Sequence, residues 1–299
     1  MEQYIKKNGV IVKTGTPVSR ILSNGNQIAG VLAGGAEYTC DAVILASGGM
    51  SHPETGSTGD GFKWLEGLGH TVRKPTPGIV PLAAKEEWIK NLAGVTLSPV
   101  KITFFLNGTK RFSKNGEILC THFGLSGPMI LNCAGLVGDL LHEGKVTIEI
   151  DVVLDMNLGE LENKIIALCD ANKNKTIRNI LKDITPRGTA GRLLPLMGKI
   201  DGDTKAHSVT REQRKLITRT LKALPLTITG LMGYERAVVV DGGVILTEID
   251  TRTMGSRLYR NLYVTGDLLD ISRPSGGYSL QLCWTTGYVA GSHAQADSA

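Results

Sequence analysis

LYVTGDLLDISRPSGGYSLQ, residues 262–281, is the stretch from which the rest of the chain can be read. Leu262 to Val264 is a short run of β-formers. Gly266 ends it and Asp267 follows directly; a loop holds Arg273 and Pro274. Gly276 and Gly277 then open a proline-free segment, Tyr278 to His293, with helix-compatible spacing. A helix that starts on glycines leaves backbone N–H groups without partners and lets a ligand approach where no Cβ stands. Its dipole favours negative charge at the same place. A carboxylate at the end of the strand accepts hydrogen bonds from sugar-type hydroxyls. The constellation suits a ligand with a polyol and a part that becomes anionic, as a reduced flavin on its ribityl chain has. An ordinary βα turn with glycine caps meets the same pattern.

A second turn of this kind lies in ASGGMSHPETGSTGDGFKWLEGLGH, Ala46 to His70. Ala42 to Ala46 is an apolar run that reads as a buried parallel strand ending in Ser47-Gly48-Gly49. Thr58-Gly59-Asp60-Gly61 starts a helix expected to run to about Leu68, with Asp60 suiting the dipole. A third motif is THFGLSGP, Thr121 to Pro128. Ser126 fails as a hydrolase nucleophile, because the nucleophile elbow needs glycine two residues on and Pro128 stands there. Ser126 reads instead as the N-cap of a helix beginning near Pro128, and His122 as a structural or pocket-lining residue.

Taken in this order, the three motifs resemble those of the HI0933-like (YhiN/BaiN-type) flavoproteins, over essentially the whole chain. The turn at Ser47-Gly48-Gly49 and the TGDG helix start also resemble the wider fumarate reductase and aspartate oxidase flavoproteins. The resemblance implies an α/β fold: a glutathione-reductase-like FAD-binding domain with an inserted β-rich domain and a helical subdomain. It implies FAD as cofactor and oxidoreductase chemistry on a small-molecule substrate. Bile-acid-related and aminoacetone-type substrates come with the family, and nothing in the sequence selects between them. Carried onto this chain, Val18 meets the adenine edge, and Ala46, Ser47, Gly48 and Gly49 face the nucleotide side. Asp267 meets the ribityl hydroxyls, the amides of Gly277, Tyr278, Ser279 and Leu280 lie near flavin N1 and O2, and Gly266 and Gly276 are further cofactor-binding positions. Asp267 stands where the family usually has Glu, and Ser279 where it has Asn. The family's GxGxxG turn is absent: Gly30, Gly34 and Gly35 sit in hairpins. The domain therefore reads as N-terminally incomplete by roughly a hundred residues, and the chain by itself is expected to hold FAD weakly or not at all. No residue announces itself as acid or base, and no separate nicotinamide fingerprint appears.

Composition sets the frame. The chain has 299 residues, 41% hydrophobic and 20% charged, enough for a sizeable core in one to three domains. A formal charge of +5 is mildly basic and suits an anionic cofactor or substrate. Five scattered cysteines (Cys40, Cys120, Cys133, Cys169, Cys283) form no CxxC and point to neither a disulfide framework nor a zinc site, so no metal is expected. MEQYIKKNG is no signal peptide, and the longest apolar run, Met129 to Leu141, is too short to span a membrane. The chain reads as cytoplasmic, with no membrane partner.

Taken in order, Glu2 to Lys7 is a helix and Val10 to Val12 a strand; Val18 to Leu22 and Gln27 to Ala33 form a hairpin about Asn24-Gly25. Domain boundaries are expected to give a first FAD-binding part (1–76), the β-rich insertion (77–154), the helical subdomain (155–225) and the return (226–299). Asn107-Gly108, Asn115-Gly116 and Asp241-Gly242-Gly243 read as turns, Thr185-Pro186 as a helix start, and Thr210 with Gln213 as a capping box. The helical part is rich in Lys and Arg, but no aromatic residue is interleaved for base stacking, so a solvated face is the first reading of that charge. The rival to a flavoenzyme is a non-catalytic flavoprotein fragment or binding module that uses those basic helices on RNA or an acidic partner.

Overall fold

The computed structural model describes residues 2–198 and 200–294. It divides into two compact units, one formed by residues 1–75 and 240–299, the other by residues 76–239.

The first unit opens with α1 (Glu2–Lys7). Val10 to Val12 is exposed and forms no strand: the run has β-forming residues but no neighbouring strand pairs with it. β1 (Val18–Asn24), β2 (Gln27–Ala33) and β3 (Ala36–Thr39) make an antiparallel meander. β4 (Val43–Leu45) follows, then α2 (Asp60–Gly67), which buries Phe62 and Leu65. β5 (Val72–Gly78) carries the chain out of this unit.

The second unit is built on a closed six-stranded barrel. Its strands are β6 (Leu82–Ala84), β7 (Thr96–Leu106), β8 (Thr109–Cys120), β9 (Gly124–Ser126), β10 (Val146–Asp151) and β11 (Leu224–Leu231). The short helix α3 (Glu87–Lys90) buries Trp88 and Ile89. The long helix α4 (Pro128–Glu143) lays Ile130, Cys133, Val137 and Leu140 into the barrel core. Between β10 and β11 stand α5 (Leu158–Ala171), α6 (Ile177–Leu181), α7 (Ala190–Leu193) and α8 (Arg211–Lys222). Their apolar faces share one core with the barrel. Both long helices of this group start on a capping box, Asn157 with Glu160 and Thr210 with Gln213, which satisfies N–H groups that would otherwise be orphaned.

Three local expectations in this unit are not met. Asn115 and Gly116 lie inside β8, opposite Lys101 and Val100, because the long partner strand extends the ladder through them. The cap before α4 is Gly127 at φ 100°, not Ser126, which ends β9 with its backbone paired to Leu119. No helix starts at Pro186: Thr185 donates its hydroxyl to the carbonyl of Leu181, ending the turn after α6, and α7 begins at Ala190. On α5 the inner face is formed by Leu161, Ile165 and Cys169, while Leu158 lies half exposed.

The chain returns to the first unit in β12 (Val239–Val244), which pairs with β5 and takes Asp241-Gly242-Gly243 into the strand. Glycine is required there. A Cβ at Gly242 would stand 2.8 Å from the carbonyl oxygens of Arg73 and Lys74, and one at Gly243 would stand 2.5 Å from that of Leu268. β13 (Ile249–Asp250), β14 (Gly255–Ser256) and β15 (Leu262–Val264) join β4 in a sheet of order β13-β14-β15-β4. β15 runs parallel to β4, with Leu262 beside Val43 and Val264 beside Leu45. α9 (Tyr278–His293) ends the described chain.

Candidate functional site

The site grows from the C-terminal ends of the two parallel strands, β4 and β15. Thr265 ties them together, donating both its N–H (3.1 Å) and its hydroxyl (2.9 Å) to the carbonyl of Leu45. Ligands of open α/β sheets bind at such carboxyl ends. Beyond β4 the chain turns at Ser47-Gly48-Gly49, with Gly48 at φ 73°. This turn is tightly boxed. A Cβ at Gly49 would stand 2.8 Å from Val240 Cγ2 and 3.3 Å from Asp267 Cβ. A Cβ at Gly61, in the first turn of α2, would stand 2.3 Å from Ser47 Oγ and 2.7 Å from Leu268. Two residues past Gly49, the hydroxyl of Ser51 is buried with no hydrogen-bond partner among the described residues.

Beyond β15 the chain makes a short turn at Gly266-Asp267-Leu268. Gly266 donates its N–H to Thr286 Oγ1 at 3.0 Å, which seats this turn on α9. Asp267 forms an ion pair with Arg273, whose side chain is only 4% exposed. Arg273 also donates to the carbonyl of Ile271 (2.6 Å) and to Ser279 Oγ (3.2 Å), so one guanidinium links the strand-end carboxylate to the first turn of α9. The sequence reading passed over Arg273 as a loop residue; its position six residues after Asp267 and before the Gly-Gly was the available signal. Burial holds the Asp267 carboxyl above its usual value, with Arg273 pulling the other way. Burial also raises the nearby Cys283 thiol, and Asp267 adds to that.

Gly276 and Gly277 both have positive φ, 103° and 92°, and Gly277 is the N-cap of α9. A glycine cap has no side chain to satisfy the first-turn amides, which leaves Tyr278, Ser279 and Leu280 available at the positive end of the helix dipole. Gly277 is not sterically crowded: nothing lies within 4 Å of a Cβ placed there. Its requirement for glycine is conformational.

Of the residues singled out in the sequence, Ser47, Gly49, Gly266, Asp267 and Ser279 are thus brought together at the strand ends, with Ala46 and Gly48 their chain neighbours in the turn. Gly276, Gly277, Tyr278 and Leu280 are neighbours of Ser279 on the α9 start. Val18 opens β1 in the separate meander, paired with Ala33, and no hydrogen bond among the described residues ties it to this cluster. His122 lies in the other unit, edge-on to Phe123 at 4.9 Å between ring centroids. The described residues hold no group of three or more His, Cys, Asp or Glu placed to bind a metal.

The family signature is decided over residues 1–293, which match the HI0933-like protein Rossmann domain. The chain belongs to the HI0933-like family. Among curated proteins, it is 30% identical over 292 residues to a 3-dehydro-bile acid delta(4,6)-reductase of Clostridium scindens, covering 97% of this chain and 71% of that protein. It is 32% identical over 260 residues to a ribosomal RNA dihydrouridine synthase of Escherichia coli, covering 85% of this chain and 61% of the relative. A protein of the same description from Haemophilus influenzae is 28% identical over 291 residues, covering 95% of this chain and 68% of the relative. No helix of the described residues is long and apolar enough to cross a membrane.

The residues present fit one part of a flavin nucleotide. The glycines leave backbone exposed where a ring or polyol must approach, Asp267 supplies an acceptor for hydroxyls, and the open amides of α9 suit a group that becomes anionic.

Proposed function

We propose that this HI0933-like chain serves an FAD-dependent reductase that adds two hydrogens across a carbon–carbon double bond conjugated to a carbonyl. The observation that carries the reading is the strand-end site in which Asp267, Arg273 and the uncapped start of α9 are held together. The relatives' names converge on the same bond change. A 3-dehydro-bile acid delta(4,6)-reductase is named for double bonds in conjugation with a ketone, and a dihydrouridine synthase for saturating a ring double bond beside a carbonyl.

FAD, when bound and reduced by an external two-electron donor, would supply the hydride, and the second hydrogen would arrive as a proton from solvent. The chain's own residues bind and orient. Asp267 accepts hydrogen bonds from ribityl hydroxyls through the carboxylate edge that Arg273 leaves free. Arg273 keeps that carboxylate aimed and ties it to Ser279. The amides from Gly277 to Leu280 stabilise negative charge at the flavin's N1/O2 edge. Ser47, Gly48 and Gly49 allow close backbone approach on the nucleotide side. In this reading residues 1–76 and 226–299 hold the cofactor, residues 77–154 and 155–225 are set into that domain, and the enzyme works in the cytoplasm.

The test is a titration of the purified chain with FAD, followed by anaerobic reduction and addition of an α,β-unsaturated ketone. Bound flavin that is reoxidised by the enone, and not by its saturated analogue, supports the proposal. Bound flavin indifferent to both would sink the substrate class, and a chain that binds no flavin in any longer form would sink the cofactor.

A further inference from the structure

Residues 155–225 hold fourteen Lys and Arg against eight Asp and Glu, a charge of +6 where the whole chain carries +5. The positive balance of the protein is therefore concentrated in the helices between β10 and β11. Three of these cations meet at one cleft of about 440 Å³, lined by Arg178, Lys182, Thr185, Arg187, Gly188 and Gly191 among others. Arg178 lies on α6, Lys182 caps its end, and Arg187 sits in the turn before α7.

Of the three, only Arg178 has a carboxylate within ion-pair distance among the described residues, and that contact is long. Arg178 is 3.9 Å from the exposed Asp203, Lys182 donates instead to the amide oxygen of Asn179 at 2.8 Å, and no carboxylate pairs with Arg187. Space lies open beside Gly188 and Gly191, where a Cβ would meet nothing within 4 Å. The hydroxyl of Thr185 is already committed to the carbonyl of Leu181. Cations gathered about an open cleft repel one another unless an anion is shared, and two guanidinium groups beside an ammonium match the oxygens of a phosphate.

We propose that this cleft holds a backbone phosphate of an RNA strand. The lining contains no large apolar side chain, which argues against a lipid surface. A further row of cations, Arg211, Lys215 and Arg219, stands at i, i+4 and i+8 on α8, and a row of positive charge is what a chain of phosphates recruits. Two of the relatives are named for ribosomal RNA, which favours RNA over an acidic protein. No aromatic residue lines the cleft, so it positions the backbone without reading sequence. The proposal concerns the helical group alone and needs no flavin, so it stands or falls separately from the reductase reading.

The experiment is a fluorescence-anisotropy titration of the full chain with a labelled single-stranded RNA across a salt series, without reductant. The variant Arg178→Gln/Lys182→Gln/Arg187→Gln is compared with Lys101→Gln/Lys110→Gln/Lys114→Gln on the barrel. Lys110, Lys114, Arg178, Lys182 and Arg187 are exposed and Lys101 is partly buried, and thermal melts check that both variants fold. The cleft variant should lose at least about tenfold in affinity at low salt. Its slope of log K against log salt should shrink by about 0.7 for each phosphate contact removed. Equal losses in both variants, or an unchanged slope in the cleft variant, overturn the proposal. So does competition by polyglutamate or by phosphatidylserine vesicles at the same charge concentration as RNA.

Discussion

Replacing Arg273 by leucine isolates the ion pair on which the candidate site is built. The substitution leaves the Asp267 carboxylate, 17% exposed in the side chain, without its partner, and strips the Ile271 carbonyl and the Ser279 hydroxyl of a donor. Removing one member of a buried pair costs about 3–5 kcal/mol, and the residual exposure of Asp267 places the expected loss near the lower end, about 3 kcal/mol. At about 2–4 °C per kcal/mol for a chain of this size class, the midpoint of thermal unfolding should fall by about 6–12 °C.

The loss should also depend on pH in a definite direction. The Asp267 carboxyl already sits above its unfolded value, because burial outweighs the pull of Arg273. The native state therefore binds more protons than the unfolded state between the two pKa values, and stability falls as pH rises through that window, levelling off above the folded pKa. Deleting Arg273 removes the pull that opposes burial, raises the carboxyl further and extends the window upward. The gap between wild type and Arg273→Leu should thus be smallest at the acid end and widen as pH rises. Urea unfolding at a series of pH values reads this from the transition midpoint, with the slope checked for constancy. Adding Asp267→Asn should recover much of the loss, because a neutral amide needs no cation. A loss under about 1 kcal/mol that is flat in pH, or no rescue by Asp267→Asn, would refute the argument that a desolvated charge pair organises the loop.

Asp267→Asn by itself, in a form that holds flavin, should weaken FAD binding by about 1.5–3 kcal/mol, and an unchanged dissociation constant would remove Asp267 from the ribityl role. Gly61→Val should cost about 1–3 kcal/mol through overpacking against Ser47 and Leu268 and displace the Ser47-Gly48-Gly49 turn; unaltered stability by urea unfolding would show that the turn yields freely. His70 bridges Glu248 (2.9 Å) and Ser256 (2.9 Å), while Ser256 Oγ accepts from the N–H groups of Leu258 and Tyr259, so Ser256→Ala should cost about 1–3 kcal/mol with no effect on flavin affinity. Gly277→Ala and Gly277→Val should share one conformational cost in stability, because the strain comes from φ 92° and not from any neighbour, whereas only a ligand at that spot makes Val worse than Ala for FAD binding. In the flavin that Gly277→Val retains, the midpoint potential should drop by a few tens of millivolts, about 30 mV for each 1.4 kcal/mol of anion stabilisation lost; an unchanged potential would reduce the Gly-Gly to a helix cap.

What the sequence disclosed was whatever depends on local chemistry. The start of α9 at Tyr278, the hairpin of β1 and β2 and the capping box of α8 all follow from punctuation by glycine, a cap or a run of β-formers. What it concealed was set by partners far along the chain. Asn115-Gly116 and Asp241-Gly242-Gly243 look like turns, yet each is drawn into a ladder by a strand the local sequence does not contain. Val10 to Val12 fails for the opposite reason, having strand chemistry and no paired neighbour. At the site the glycines were legible, but the bond between Asp267 and Arg273 was not, because nothing in a loop sequence says that a guanidinium will fold back six residues and be buried.

The reason for Gly277 also changes once its surroundings are known. Nothing lies within 4 Å of a Cβ placed there, so the glycine answers to its φ of 92° and not to a neighbour. A glycine cap leaves the first-turn amides of α9 without a side-chain partner, and those amides lie at the positive end of the helix dipole. What the position offers a ligand is backbone donors on an open approach, so a side chain added there is felt first through the strain of the cap and only then through whatever is bound.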